Sequence, residues 1–344
     1  MLKIRMHGDT HVGLVRSINE DNFRLIEARQ TMVVCDGMGG HAAGEVASLK
    51  AVETIETCIL RDSGYIRQRL PALMLPGLPA EALDLVQGVR LANRRVFTTA
   101  KSQRSMHGMG TTLVAVRFAS GGVIICHVGD SRAYRFTLGR LIPLTVDHSL
   151  LAEWKSRADI TEEDERNFPE RNIITRALGT RSSVAVDVSV VPAEKGDWYL
   201  LCSDGLCGYV DDRTIARIMD ESHPDIRLAA RRLIDAANEA GGQDNVTVAI
   251  GVIDETDPDG GVAAAPQTVP ESAEEESVLE TALLQELFPV AAQADRFPVE
   301  PDTDKIPTLP MMSGAAGTQP IVDEPTGNES PDRPKRGFWP WSSK

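Results

Sequence analysis

Four aspartates in this chain share one local grammar, an apolar run with an Asp just beyond one end and glycine close by. They are Asp36 in VVCDGMGGH, Asp130 in CHVGDSR, Asp204 in YLLCSDG and Asp244 in GGQDN. A fifth acidic site, Glu20 and Asp21 in RSINEDNF, opens another short apolar piece. One Asp-Gly beside a strand is most simply a turn, but four with the same neighbours ask for a further reason. Side chains at strand ends can converge over one edge of a sheet sandwich. Carboxylates gathered there repel one another and hold their protons more tightly, so a cluster of five or six implies hard divalent cations. Oxygen donors on tight turns suit Mg2+ or Mn2+, whereas zinc draws on His and Cys. Asp36 can bridge two such ions, and Gly37, without a side chain, leaves its carbonyl open as a further ligand. The glycines that follow bring the next helix and His41 near. Two ions can lower the pKa of a water and present hydroxide to a phosphoryl group.

The elements that position these groups are legible from periodicity. TMVVC (31–35), TTLVAVRF (111–118), GVIICHV (122–128), RAYRF (132–136), VAVDVSVV (184–191), DWYLLC (197–202) and VTVAIGV (246–252) read as strands. Residues 111–136 suggest a three-stranded antiparallel meander joined by ASGG and GDS turns. Apolar residues at three- and four-residue spacing predict helices over 42–60, 80–101, 211–220 and 225–240. The strands cluster rather than alternate singly with helices. The fold class expected is therefore α/β of the α+β kind, with antiparallel sheets and helices on their outer faces.

Charge divides the chain of 344 residues into two parts. Residues 255–344 hold 17 acidic and 6 basic residues and 13 of the 20 prolines, whereas residues 1–254 hold 33 acidic and 30 basic. The net charge of −14 thus belongs mostly to the C-terminal portion, and the chain lacks the basic surface that nucleic acid requires. A folded domain over 1–254 and an acidic, Pro-rich, disordered tail over 255–344 are expected, since the tail composition buries too little to offset chain entropy. Within the tail, ESVLETALLQELF (276–288) has the pattern of a short amphipathic helix, either transient or docked on a partner. The closing RPKRGFWPWSSK pairs basic charge with aromatics and leaves a membrane-surface contact and a protein-binding tag both open. Five cysteines, three of them in apolar runs, read as reduced thiols and not as a disulfide frame. With no signal-like apolar segment at the start and no run of about 18 apolar residues, a cytoplasmic monomer without a transmembrane segment is expected.

At these residues the chain resembles the metal-dependent serine/threonine protein phosphatases, the type 2C family, in its compact bacterial form. The likeness covers about residues 5–254 and follows the family's order through THVGLVRSINEDNF, VVCDGMGGHAAGE, MGTTLVAV, HVGDSRAYRF, LTVDHS, NIITRALG, LLCSDGL and GGQDNVTVAI. It implies a β-sandwich of two antiparallel sheets flanked by helices. It implies that Arg16 grips the substrate phosphate, for which a planar fork is suited. Asp36, by its side chain, and Gly37, by its carbonyl, match the metal-bridging pair. Asp204 and Asp244 match ligands of one ion, and Glu20 matches a ligand of the other, with Asp21 beside it as ligand or support. Asp130 matches the residue that holds a weaker third ion with Asp204. His41 matches the general acid that protonates the leaving alkoxide. The segment 149–172 corresponds to a flap beside the site, while Arg176 and Asp147 read as structural, in an ion pair or a turn. One departure is His11, which stands where many relatives carry an aspartate. His7, His107, His127, His148 and His223 are expected to pack or face solvent.

The reaction so implied is direct hydrolysis of phosphoserine and phosphothreonine proteins without a phosphoenzyme, opposing a bacterial serine/threonine kinase by family analogy. No cysteine lies in a phosphate-cradling loop, and DGMGGH lacks the lysine of a nucleotide-binding loop. A metal-dependent phosphodiesterase or nuclease would use similar ions but wants basic surface. A catalytically weak phosphoprotein-binding module, or a scaffold acting through its tail, is the alternative from another class.

Overall fold

The strand Thr31–Met38 (β3) shows how the layers are built. Its residues Met32, Val33, Val34 and Cys35 are all fully buried, which demands cover on both faces. Met32 and Val34 enter one core with Val114, Val116, Tyr199 and Leu201. Val33 and Cys35 enter another with Val46, Ile55, Val86 and Val89. The two-residue period of a strand thus sorts one apolar run between a sheet–sheet core and a sheet–helix core.

The computed structural model describes residues 2–39, 43–61, 64–70, 77–120, 122–157, 164, 168, 170, 173–256 and 263–289. These fall within one compact unit, Met1–Asp295. One sheet joins, in order, Ala264–Val269 (β12), Val186–Val191 (β9), Gly122–Val128 (β6), Leu113–Ala119 (β5), β3 and Asp21–Ile26 (β2), with the short Gly110–Thr111 (β4) pairing β3. The other joins Lys3–His11 (β1), Val246–Glu255 (β11), Trp198–Cys202 (β10), Arg132–Thr137 (β7) and Arg140–Pro143 (β8). Every pairing is antiparallel. Helices Ala43–Leu60 (α1) and Ala80–Ser102 (α2) cover the first sheet. Short helices Leu150–Arg157 (α3) and Asp204–Cys207 (α4) follow, and Asp212–Ser222 (α5) with Ile226–Glu239 (α6) cover the second sheet. The last pair start sharply because Asp211 and Asp225 each accept two backbone N–H bonds as N-caps. The sandwich of two antiparallel sheets flanked by helices matches the expected fold.

Two expectations change. The meander over 111–136 does not form: β5 and β6 pair, but β7 lies in the other sheet between β10 and β8. The chain changes sheets at Gly129, which has φ +112 and where a Cβ would strike Thr112 at 2.7 Å. A Gly-Asp-Ser corner between sheets carries the same residues as a hairpin turn, so composition alone does not separate them.

Order also continues past residue 254. Strand β12 pairs with β9, and helix Glu274–Leu287 (α7) packs Leu283, Leu284 and Leu287 against Cys58, Ile66, Leu70 and Leu91. Polar contacts fix it: Arg90 faces Glu276 at 3.5 Å and donates to the Pro270 carbonyl, and Arg94 Nε donates to Thr281 Oγ1 at 2.7 Å. The boundary at 254 is therefore too early, because the segment is polar on average but its leucines share a helix face. The remaining part of the expected tail, residues 290–344 with RPKRGFWPWSSK, lies outside the described residues. Among the described residues no helix is long and apolar enough to cross a membrane.

Candidate metal centre

Strand register carries the acidic residues to one rim. Arg132, Cys202 and Val248 form a row across β7, β10 and β11. Asp130 stands two residues before Arg132 and Asp204 two after Cys202, so antiparallel strands deliver both to the same side. Asp244 precedes β11 on that side. In the other sheet Asp21 and Asp36 face each other directly across β2 and β3. Like charges in that relation destabilise a ladder unless a counter-charge joins them.

Small hydroxyl residues stitch the two sheets together at this rim. Ser203 Oγ donates to Asp21 Oδ2 at 2.7 Å and accepts from Thr247 N at 3.0 Å. Thr112 Oγ1 accepts from Asp36 N at 3.0 Å and shares a 2.7 Å bond with Ser131 Oγ. The Asp36 carboxyl has Asp204 as an electrostatic neighbour at this rim. Gly37 N donates to the Glu20 carbonyl at 3.2 Å, and a Cβ at Gly37 would lie 2.1 Å from the Gly44 carbonyl oxygen. Only glycine lets the end of β3, the Glu20 loop and the start of α1 meet there.

The Arg16 loop is tied at both ends. Leu14 N and Val15 N donate to the Gly242 carbonyl at 2.7 and 3.2 Å. The buried Asn245 side chain accepts from Glu20 N at 2.8 Å and donates to the Val12 and Ile18 carbonyls, each at 2.9 Å. Arg16 Nη2 then reaches Asp244 Oδ2 at 2.8 Å, and that charge raises the Arg16 pKa.

The electrostatics of the cluster ask for cations. Burial pushes Asp21 up to about 7, with Asp204 and Asp244 adding to it against hydrogen bonds from Thr247 and Ser203. Burial, then the charges of Asp204 and Asp147, push Asp130 up to about 7. Burial and the charges of Asp21, Asp204 and Asp130 drive Asp36 well above the usual carboxylate range. Glu20 and Asp204 rise too, chiefly through burial. Glu20 Oε1, Asp21 Oδ1, Asp130 Oδ1 and Asp204 Oδ1 are buried with no hydrogen-bond partner. Oxygen donors left unsatisfied, on acids that repel, fit divalent cations.

Residues 9–233 match the family description "Protein phosphatase 2C". The chain belongs to the protein phosphatase 2C family. It is 39% identical over 250 residues to the serine/threonine phosphatase Stp of Listeria welshimeri, covering 71% of this chain and 94% of that one. It is 35% identical over 249 residues to the serine/threonine protein phosphatase PstP of Mycobacterium tuberculosis, covering 72% of this chain and 45% of that one. A crystal structure of the latter superposes with TM-score 0.65 at 33% identity, covering 74% of this chain and 100% of that chain. A structure of the PstP catalytic domain in complex with two manganese ions gives TM-score 0.61 at 33% identity, covering 74% and 100%. The chain is accordingly a metal-dependent serine/threonine protein phosphatase, a phosphoric monoester hydrolase acting on phosphoproteins.

In this phosphatase the fold brings together Arg16, Glu20, Asp21, Asp36, Gly37, Asp130, Asp204 and Asp244. His41 lies outside the described residues, as do most of 158–172 in the flap segment. His11 bonds within its own loop: its Nδ1 accepts from Gly13 N at 3.0 Å, shaping the entry to the Arg16 loop. Arg176 and Asp147 are both in ion pairs, though with other partners. Arg176 Nη1 bonds Asp187 Oδ1 at 2.8 Å, and Asp147 takes Arg132 in two bonds of 2.8 Å.

His127, His148 and Asp187 form a second group of potential ligands, yet their atoms are committed elsewhere. His148 Nδ1 accepts from Gly129 N at 3.0 Å, so Nε2 carries the proton donated to Asp187 at 3.1 Å. The two rings stack at 4.5 Å, and burial, then the neighbouring His148, lowers His127 to about 4. Burial acts to raise Asp187, but hydrogen bonds from His148, Arg176 and Thr268 outweigh it and hold that carboxyl low. This buried group braces the corner that presents Asp130. Sequence reasoning missed it, as it missed Ser203, Thr112, Thr247 and Asn245. A hydroxyl or amide residue within three positions of Asp204 or Asp244 was the available signal for Ser203, Asn245 and Thr247, whereas Thr112 had none.

Proposed function

We propose that the rim holds two Mn2+ or Mg2+ ions, one through Asp36, Asp204 and Asp244 and one through Asp36, Gly37, Glu20 and Asp21. Asp130 and Asp204 hold a weaker third. The observation that carries this reading is the convergence of four unpartnered, buried carboxylate oxygens on one rim. Cations bound there would supply positive charge beside phosphoryl oxygens and lower the pKa of a nearby water.

The residues of the chain do the remaining work. Arg16, on its anchored loop, offers two N–H groups to phosphoryl oxygens beside Asp244. Ser203 and Thr247 keep Asp21 aimed at the rim, and Thr111 and Thr112 fix the backbone of Asp36, whose carbonyl accepts from Thr111 Oγ1 at 2.8 Å. Rigid placement of this kind spares reorganisation during the reaction. His41, by resemblance, donates the proton to the departing serine or threonine oxygen. The domain so formed acts in the cytoplasm as a monomer and opposes a serine/threonine protein kinase. Hydrolysis of a phosphothreonine peptide with Mn2+, and its loss with chelator, is the expected result. An inert protein saturated with Mn2+ would support the phosphoprotein-binding alternative instead.

A further inference from the structure

The loop that carries Arg16 also presents large apolar side chains to solvent. Leu14 is 66% exposed, Val15 62% and Ile18 42%. Single exposed apolar residues are ordinary, but three within five residues of one loop are a concentration of apolar side chains of the kind that marks an interaction surface. Looseness of the loop does not account for them. The Gly242 carbonyl takes both Leu14 N and Val15 N, and Asn245 holds the carbonyls of Val12 and Ile18. The backbone is thus pinned on either side of Arg16 while the apolar side chains stay outside.

Position says what covers them. Leu14 and Ile18 are each two residues from Arg16, so their Cα atoms lie within about 7 Å of its own. A phosphoresidue held by Arg16 brings its chain neighbours over the same ground, since an extended peptide advances about 3.3 Å per residue. We propose that Leu14, Val15 and Ile18 form an apolar shoulder that selects phosphoserine and phosphothreonine segments with aliphatic side chains one or two positions from the phosphorylated residue. This rests on the reading of Arg16 as the phosphate-gripping residue. The shoulder removes apolar surface of the substrate from water, which adds binding that the phosphate alone does not supply.

The test uses the full chain with Mn2+ and two phosphothreonine peptides, one with Leu and Val flanking the phosphoresidue and one with Ser at the same places. Wild type hydrolyses the aliphatic peptide with kcat/KM about tenfold higher, the scale of a few methylenes against an apolar surface. In the double variant Leu14→Ser, Val15→Ser that ratio falls below about threefold. Equal hydrolysis of both peptides by wild type, or a ratio that survives in the variant, overturns the shoulder and leaves the phosphate site standing. Failure of wild type to hydrolyse either peptide overturns both readings. The wild-type ratio decides the matter alone if the double variant does not fold.

Discussion

Replacing Asp130 by Asn in chelator-treated protein isolates the cost of crowding acids at the rim. The Asp130 carboxyl, ordinarily at 3.8, is pushed up to about 7, first by burial and then by Asp204 and Asp147. Between those values the folded chain keeps a proton that the unfolded chain releases. Its folded pKa is the raised one, so stability is present at low pH and is lost as pH rises toward 7. The loss runs at about 1.4 kcal/mol for each pH unit. From pH 5 to pH 8 it reaches about 3 kcal/mol, or about 2 once water at the accessible oxygen is allowed for. Asparagine has nearly the same shape and does not titrate. The variant should therefore gain on wild type by about 2 kcal/mol between pH 5 and pH 8, a relative rise in Tm of about 4–8 °C. Thermal unfolding in EDTA at both pH values reads this directly. Mn2+ should reverse the order at pH 8, because the wild-type charge then has a partner. A difference that is the same at pH 5 and pH 8, or a variant that never overtakes wild type in EDTA, would refute the reasoning.

Other outcomes follow from the same geometry. Arg16→Lys should lower kcat/KM for phosphopeptides about tenfold or more, since a point charge does not replace a planar fork, and steady-state kinetics would show it. Gly37→Ala places a Cβ 2.1 Å from the Gly44 carbonyl oxygen and 2.6 Å from that of Glu20, so it should cost about 1–3 kcal/mol in urea denaturation and weaken Mn2+ binding measured by calorimetry. Leu283→Ala should cost about 2 kcal/mol or more, because that side chain is buried under α2. A silent Leu283→Ala would mean that α7 does not dock.

The metal rim was legible in the sequence because each acid borders a run too apolar to be anything but a covered strand. VVC before Asp36, LLC before Asp204 and VTVAIGV after Asp244 fix strand ends, and strand ends fix a rim. Which strands share a sheet was less legible. GDS reads as a hairpin, and only the pairing of β7 with β10 and β8 shows it to be a corner. Strand β1 was missed because KIRMHGDTH is half-exposed and charged, with no clean alternation. The helix over 274–287 was visible as a pattern, but its partners Arg90 and Arg94 lie nearly 200 residues away, and burial against them is a tertiary fact. Among the hydrogen-bonding supports, Thr112 was invisible for a similar reason, since a lone Thr far in sequence from the acids it serves has no periodicity to betray its role.

The central claim is that side chains far apart in the chain share divalent ions. Crystals grown with Mn2+, measured at the manganese absorption edge, test it most directly. Two anomalous peaks are expected, each bounded by Asp36, with Asp204 and Asp244 on one side and Glu20 or Asp21 on the other. Asp36, Asp204 and Asp244 pointing apart, with no peak among them at saturating Mn2+, would contradict the account.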